Sequence, residues 1–436
     1  MVKGKSRQHE DHLSVNDQLS ISTLKFSAIY GANGAGKSNW VKALRFAKNL
    51  IVKNEFESQH RDYYCRSKPE NKEKSTDFEF EILINNDIYS YGFSINLYRK
   101  VFLREWLYKI SNSTEVEIFT YDKTNNELKI PNLSKNKNNK MSLRFQIYNE
   151  DYLNQDDFNK SLFINFINSY KLKFSKKDEN EFNFNILNDV YIWFKKNIDI
   201  IQPNSQPKQA LTYLTDTDTS AFENFLSDFG TGIQTVTKTN ISIEDVYAKE
   251  DKNFIDYVNY DISEKVKSTE DNFTGMLKTK NNLYLVETLI TNNQDYNSSW
   301  YKFTFSSNNK TDYCLGELSD GTIRLLELFS ILNNNKKITF IVDEIDRSLH
   351  PNLTYNFIKY FLKNDKNAQL IVTTHEDRIL DLDILRRDEI WFIDKDNNGC
   401  SQLYSLEKFK IRFDQDVMKA YLDGRYGSIP KFKFFD

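Results

Sequence analysis

Four short stretches of this chain carry residue types at spacings that suit a single chemistry. Residues 31–38 read GANGAGKS and fit G-x-x-x-x-G-K-[ST], the loop that lays nucleotide phosphates against backbone N–H groups. Gly31, Gly34 and Gly36 leave room for phosphate beside the main chain, with Ala32, Asn33 and Ala35 filling the loop between them. The N-terminus of the helix that follows the loop adds a favourable dipole for anions, and Lys37, Ser38 and Asn39 complete the candidate phosphate-binding set. Lys37 is placed to reach the outer phosphates, and the Ser38 hydroxyl is a ligand for Mg²⁺.

Far downstream, Ile338-Thr-Phe-Ile-Val is an apolar run ending in Asp343 and Glu344. Two acids at the end of a buried strand belong where Mg²⁺ and an attacking water are held. Asp343 is positioned to hold the metal through water, and Glu344 to orient or deprotonate the nucleophile. The next apolar run, Gln369 to Thr374, ends at His375, a placement suited to sensing a terminal phosphate. Between the two halves, Leu318-Ser-Asp-Gly-Thr precedes an amphipathic run. Ser319 and Gly321 there read either as a second anion-binding helix start or as plain N-capping by Ser319 or Asp320.

The elements needed to hold these groups are visible around them. Leu24 to Tyr30 is β-prone and runs into Gly31, while Trp40, Val41, Ala43, Leu44, Ala47, Leu50 and Ile51 recur at helical spacing. Residues 52–76 read as a charged connector. Phe78–Ile84, Ile88–Ile95 and Val101–Tyr108 predict a β-meander, with Asn85-Asn86-Asp87 as its first turn. Residues 1–20 are polar with no clear strand, and the Lys/Asn-rich 121–142 reads as a solvated loop. From 143 to 235 the pattern is helical, including a run Ile186, Leu187, Val190, Trp193, Phe194, Ile198 and a helix opened by a Ser220/Glu223 capping box and stopped at Gly230. Residues 240–310 return to β-like runs such as Leu283–Ile290 and Trp300–Phe305.

Composition narrows the class. The 436 residues are rich in Phe (33) and Tyr (25) and poor in Gly and Pro, as in packed structure rather than disorder. A formal charge of −3 gives no bulk attraction to nucleic acid, leaving only Lys-rich patches at 135–140 and 171–177. The three cysteines form no C-x-x-C pair and read as reduced thiols. The five histidines show no metal-ligand spacing. The polar N-terminus is unlike a signal peptide, and no apolar run approaches a membrane span. The expectation is a cytoplasmic protein.

Taken together, GANGAGKS, LSDGT, FIVDE, SLHP and TTH, in that order, resemble ABC-type ATPase heads. Within that class the Asp-Gly-Thr version of the signature, the Leu-His-Pro after the acids and the tail Tyr421–Pro430 resemble the OLD-like, RecF-like branch of bacterial defence systems. The resemblance implies an α/β P-loop fold: a mixed central sheet with flanking helices, an antiparallel β subdomain and a large, mainly helical insertion. It implies 1–110 and 311–436 as the two halves of the head and 111–310 as the insertion. It also implies ATP and Mg²⁺ as cofactors and a head-to-tail homodimer, or a higher even oligomer. There Lys37 and Ser38 of one copy face Ser319 and Gly321 of another, and Ser348, Leu349 and His350 form the loop between sites. ATP hydrolysis would then drive a switch that controls a separate nuclease or toxin effector, with DNA or a phage protein as trigger. A DNA-repair ATPase and a nucleotide-dependent scaffold with little turnover are the alternatives. The family's usual opening Asn-Phe-x-Ser-Phe strand is not seen, and Gln59 is the one candidate for the glutamine that follows the first helix. The expectation is that no TOPRIM nuclease domain follows the head and that any nuclease or toxin is a separate protein.

Overall fold

The computed structural model describes residues 1–436 except 17–20, 112–113, 132–146, 148, 157–159, 170–184, 204–218, 269–271, 292–294, 334–336, 364–367, 411–415 and 430–436. The Lys-rich patches at 135–140 and 171–177 lie outside the described residues. The chain groups into two compact units. The first comprises 1–202, 336–345 and 367–436; the second comprises 203–335 and 346–366. The sequence reading assigns 111–310 to the insertion; the described residues of 111–202 group with the first unit.

At the centre of the first unit is a six-stranded sheet in the order β18-β17-β3-β16-β15-β9. Its strands are β3 (Phe26–Tyr30), β9 (Ile198–Ile201), β15 (Thr339–Val342), β16 (Gln369–Thr373), β17 (Ile390–Lys395) and β18 (Ser401–Ser405). All but β18 run parallel. Parallel strands are covered on both faces, which is why β3, β15 and β16 read as near-continuous apolar runs rather than alternating ones. Against the sheet lies α1 (Lys37–Lys53), which buries Val41, Phe46, Ala47, Leu50 and Ile51. Val41, Phe46, Leu50 and Ile51, removed from water, each contribute roughly 1.5–3 kcal/mol. The helix ends at Asn54, in the left-handed conformation at φ 53°.

The expected meander is present and longer than predicted. It runs β4 (Thr76–Ile84), β5 (Asp87–Asn96), β6 (Val101–Ser111), β7 (Thr114–Asp122) and β8 (Glu127–Lys129), paired in that order. Asn85 and Asn86 both take positive φ at the first turn, as a tight hairpin requires. The stretch that reads as a solvated loop from 121 onward begins with the end of β7 and with β8.

Three further expectations change. Ile198 ends the apolar run of the helix Asn185–Ile192 by sequence, yet it opens β9, paired in parallel with β15. Residues 1–20 contain β1 (Leu13–Asn16), which forms a hairpin with β2 (Ile21–Leu24). That segment is pinned by the fully buried Arg386, whose guanidinium bonds Asp388 and the carbonyls of Ser6, Gln8 and His9. The tail is fixed as well: Ser428 Oγ donates to the Ile393 carbonyl (2.9 Å), and Tyr421 and Tyr426 stack on Phe392.

The second unit is built on the antiparallel sheet β10 (Ile233–Ile241), β13 (Tyr296–Ser307), β12 (Leu283–Ile290) and β11 (Phe273–Lys278). The helix Lys252–Ser268 shares one apolar cluster with this sheet, through Ile255, Ile262, Val266, Tyr284, Val286 and Trp300. Residues 240–310 are therefore not β throughout. The helix Ser220–Asp228 forms as expected, but its N-cap is Thr219 rather than Ser220. Glu223 reaches back to Thr219 Oγ1 (3.0 Å) and also accepts the Val236 N–H (2.8 Å), tying helix to sheet. Phe222 and Phe225 pack on Phe329 of the helix Asp320–Leu332.

Candidate nucleotide site

In the first unit the C-terminal ends of three parallel strands converge. β3 runs into Gly31, β15 into Asp343, and β16 into Thr374 and His375. That edge of an open α/β sheet is where ligands bind. Backbone bonds lock the three together, Thr374 N–H to the Ile29 carbonyl (3.1 Å) and Ile345 N–H to the Thr373 carbonyl (3.1 Å), and Asp343 N–H ties β15 to β9 through the Ile201 carbonyl (2.9 Å).

The loop 31–38 has the conformation an anion cradle needs. Gly34 and Gly36 take φ of 78° and 118°. A Cβ on Gly36 would meet Ser401 Oγ, and one on Gly31 would lie 2.6 Å from the Ile393 carbonyl. Gly36 is the N-cap of α1 and has no side chain to occupy the first-turn N–H groups, so those of Lys37, Ser38 and Asn39 suit an external acceptor. Asn33 and Gly34 form the loop's turn, closed by the Ala35 N–H on the Ala32 carbonyl (3.1 Å). Lys37 is 5% exposed and curls its ammonium onto the Gly31 carbonyl.

The acids sit beside this loop. Asp343 is 2% exposed, and Ser38 Oγ points at its Oδ1 at 3.4 Å. A buried carboxylate and a hydroxyl side by side are hard oxygen donors, the set that suits Mg²⁺, so Ser38 and Asp343 are the residues that fit the metal. Thr373 donates its hydroxyl to Asp343 Oδ1 (2.6 Å) and accepts the Glu344 N–H (2.9 Å). One buried hydroxyl thus fixes both acids. Glu344 is held at φ 50°, a left-handed conformation that costs a non-glycine residue about 1–2 kcal/mol. It is half-buried, while His375 at the end of β16 is exposed.

Ser319 and Gly321 belong to the second unit. Ser319 is the N-cap of the helix Asp320–Leu332, and its Oγ accepts the Thr322 N–H at 3.1 Å, so the capping role is the one seen. Gly321 lies against the loop after the acids: a Cβ there would stand 2.9 Å from the Ser348 carbonyl. Ser348 itself takes φ 60°. Gln59 is exposed and bonds Glu57 in a short 3₁₀ turn.

Sequence reasoning missed Thr373 and Ser401. The first reads as one more β-branched residue in an apolar strand. The second donates to the Ala35 carbonyl (2.6 Å) from 366 positions away, with no motif around it. The chain also carries histidines closer together in space than their spacing suggested: His9, Asp11 and His12 bring potential ligand atoms within 4.8 Å of one another.

A family profile described as "AAA domain, putative AbiEii toxin, Type IV TA system" matches residues 26–381. No curated protein matches the chain. Among solved structures, similar chains include an Smc head bound to the C-terminal winged-helix domain of ScpA (15% identity, TM-score 0.39, 88% of this chain and 91% of that one). Others are the SMC head domain from Thermotoga maritima (14%, 0.33, 92% and 97%) and the Pyrococcus furiosus Smc head with an extended coiled coil bound to the C-terminal domain of ScpA (16%, 0.28, 93% and 94%). Among the described residues, no helix is long and apolar enough to cross a membrane.

Proposed function

The chain belongs to this AAA-domain family of P-loop ATPases, and from that premise we propose that it hydrolyses ATP with Mg²⁺ as a nucleotide-dependent switch. The observation that carries the proposal is the coupling of Ser38, Asp343, Thr373 and Glu344 in one bonding path, centred on the buried Thr373–Asp343 bond, beside the phosphate loop. Mg²⁺ held there would neutralise charge on the phosphates. The loop N–H groups and Lys37 bind and orient the triphosphate. Glu344 takes a proton from, or aligns, the attacking water, and Thr373 keeps its backbone in place. His375 reports the terminal phosphate from the end of the neighbouring strand.

Hydrolysis by a head-to-tail dimer is the second part of the proposal. Ser319 and Gly321 would complete the site of another copy, with the Ser348–His350 loop beside them. The switch would control a separate effector, nuclease or toxin, in anti-phage defence. The family's own description, which names a toxin of a toxin–antitoxin system, supports that setting. The test is Glu344→Gln. It should abolish turnover while leaving ATP binding intact, and should accumulate an ATP-bound dimer in light scattering; hydrolysis at the wild-type rate would remove Glu344 from the mechanism.

A further inference from the structure

We propose that His9, Asp11 and His12 form a binding site for one divalent transition-metal ion of the zinc class, separate from the nucleotide site. The geometry fixes which ring nitrogens are available. His9 Nε2 lies 2.9 Å from the Leu382 carbonyl, which can only accept, so Nε2 carries the proton and Nδ1 holds the lone pair. His12 Nδ1 lies 3.1 and 3.2 Å from the two oxygens of Glu389, so its N–H points there and Nε2 is the lone-pair side. That Nε2 is 3.9 Å from Asp11 Oδ2. A ligating histidine backed by a carboxylate or carbonyl on its other nitrogen is the usual arrangement around zinc, because the partner fixes the ring and raises its basicity. His12 has such a partner in Glu389.

The backbone brings the ligands to one side. His9 takes φ 48° and ψ 57° at the start of the 3₁₀ turn Glu10–His12, and the two rings lie 5.0 Å apart at 14°. His12 is 5% exposed, while the Asp11 side chain is 76% exposed and opens the site to solvent. Two imidazoles and one carboxylate leave a fourth position for water, the coordination of an open tetrahedral site. Bonds of 2.0–2.2 Å set ligand atoms roughly 3.3 Å apart, so binding would draw the 4.8 Å span together: Asp11 rotates, and the His9 ring leaves its stack on His12 and gives up the Leu382 bond for the metal. The metal would clip residues 9–12 to the turn at 382–389 that leads into β17. The same turn supplies Arg386, which grips the carbonyls of Ser6, Gln8 and His9. The competing explanation is a stacked histidine pair with His12 bonded to Glu389 and no metal. It predicts no response to metal and no effect of Asp11.

The test is a Co²⁺ titration of the full, untagged chain after chelator treatment, without nucleotide, followed by displacement with Zn²⁺. The expected result is one equivalent bound, with the visible bands of four-coordinate Co²⁺. His9→Gln and Asp11→Asn should each weaken binding at least tenfold while ATP binding stays as in the wild type. Absent bands, titrations unchanged in both variants, or sulfur-to-cobalt charge-transfer bands would each overturn the proposal. The last would place the ion at Cys65 and Cys400, whose sulfurs lie 3.9 Å apart.

Discussion

Replacing Thr373 with Val keeps the side chain's shape and removes only the hydroxyl that joins the two acids. The Thr373 bond to the buried Asp343 carboxylate is charge-assisted, worth about 1.5–3 kcal/mol. Its loss also leaves the Glu344 N–H without its acceptor, at a further cost of about 1–3 kcal/mol. Glu344 already sits in a conformation that its backbone disfavours, so it should relax once that anchor is gone. A displacement near 1 Å at a reacting group costs on the order of 100-fold in rate. The expected outcome is therefore a kcat for ATP lowered about 100-fold. ATP affinity should stay within about threefold, because the loop N–H groups that hold the phosphates are untouched. Thr373→Ser restores the hydroxyl and should recover most of the rate. Steady-state phosphate release and fluorescent-nucleotide binding measure the two quantities. Turnover in the Val variant within about twofold of wild type would refute the reasoning that Thr373 positions the acids.

Three more outcomes follow from particular contacts. Gly36→Ala combines a φ of 118° with a clash at Ser401 Oγ, and should cut nucleotide affinity more than tenfold in the same binding assay. Arg386→Met strands the buried Asp388 and should destabilise the first unit by about 3–5 kcal/mol, read as earlier urea unfolding and faster proteolysis before residue 13. Glu105 is fully buried and accepts the Phe163 and Ile164 N–H groups and the Tyr91 hydroxyl. Burial pushes its carboxyl up to about 7, while those hydrogen bonds pull the other way. Its folded pKa lies above the unfolded one. The stability it contributes is thus present below about pH 4.5 and is lost as pH rises through 7, by roughly 3 kcal/mol in all. Glu105→Gln should flatten that part of the stability–pH profile, measured by urea unfolding at several pH values.

The phosphate loop and its flanking strand and helix were legible because motif and periodicity reinforce each other there. Asp343 and His375 were legible because each ends an apolar run. What escaped depends on partners far away in sequence. Ile198 continues a helical spacing, and only pairing with β15 makes it a strand. Thr373 and Ser401 look like ordinary strand residues until the fold sets Asp343 and Ala35 beside them. Arg386 gives no sign in sequence that it will organise residues 6–9. The helix Lys252–Ser268 is a different case. Ile255, Val258, Ile262 and Val266 do recur at helical spacing, but Tyr and Phe on the other positions masked the period.

The central claim is an ATPase whose site is completed by a second copy, and mixing two inactive variants tests it most directly. Lys37→Ala removes the phosphate-binding lysine, and Ser319→Arg blocks the surface proposed to complete the partner's site. Each alone should be inactive. Random pairing of the mixture gives heterodimers with one intact site each, so activity should return to about a quarter of the wild-type rate. Full activity of Ser319→Arg alone, or no recovery on mixing two folded, ATP-binding-tested chains, would contradict the account.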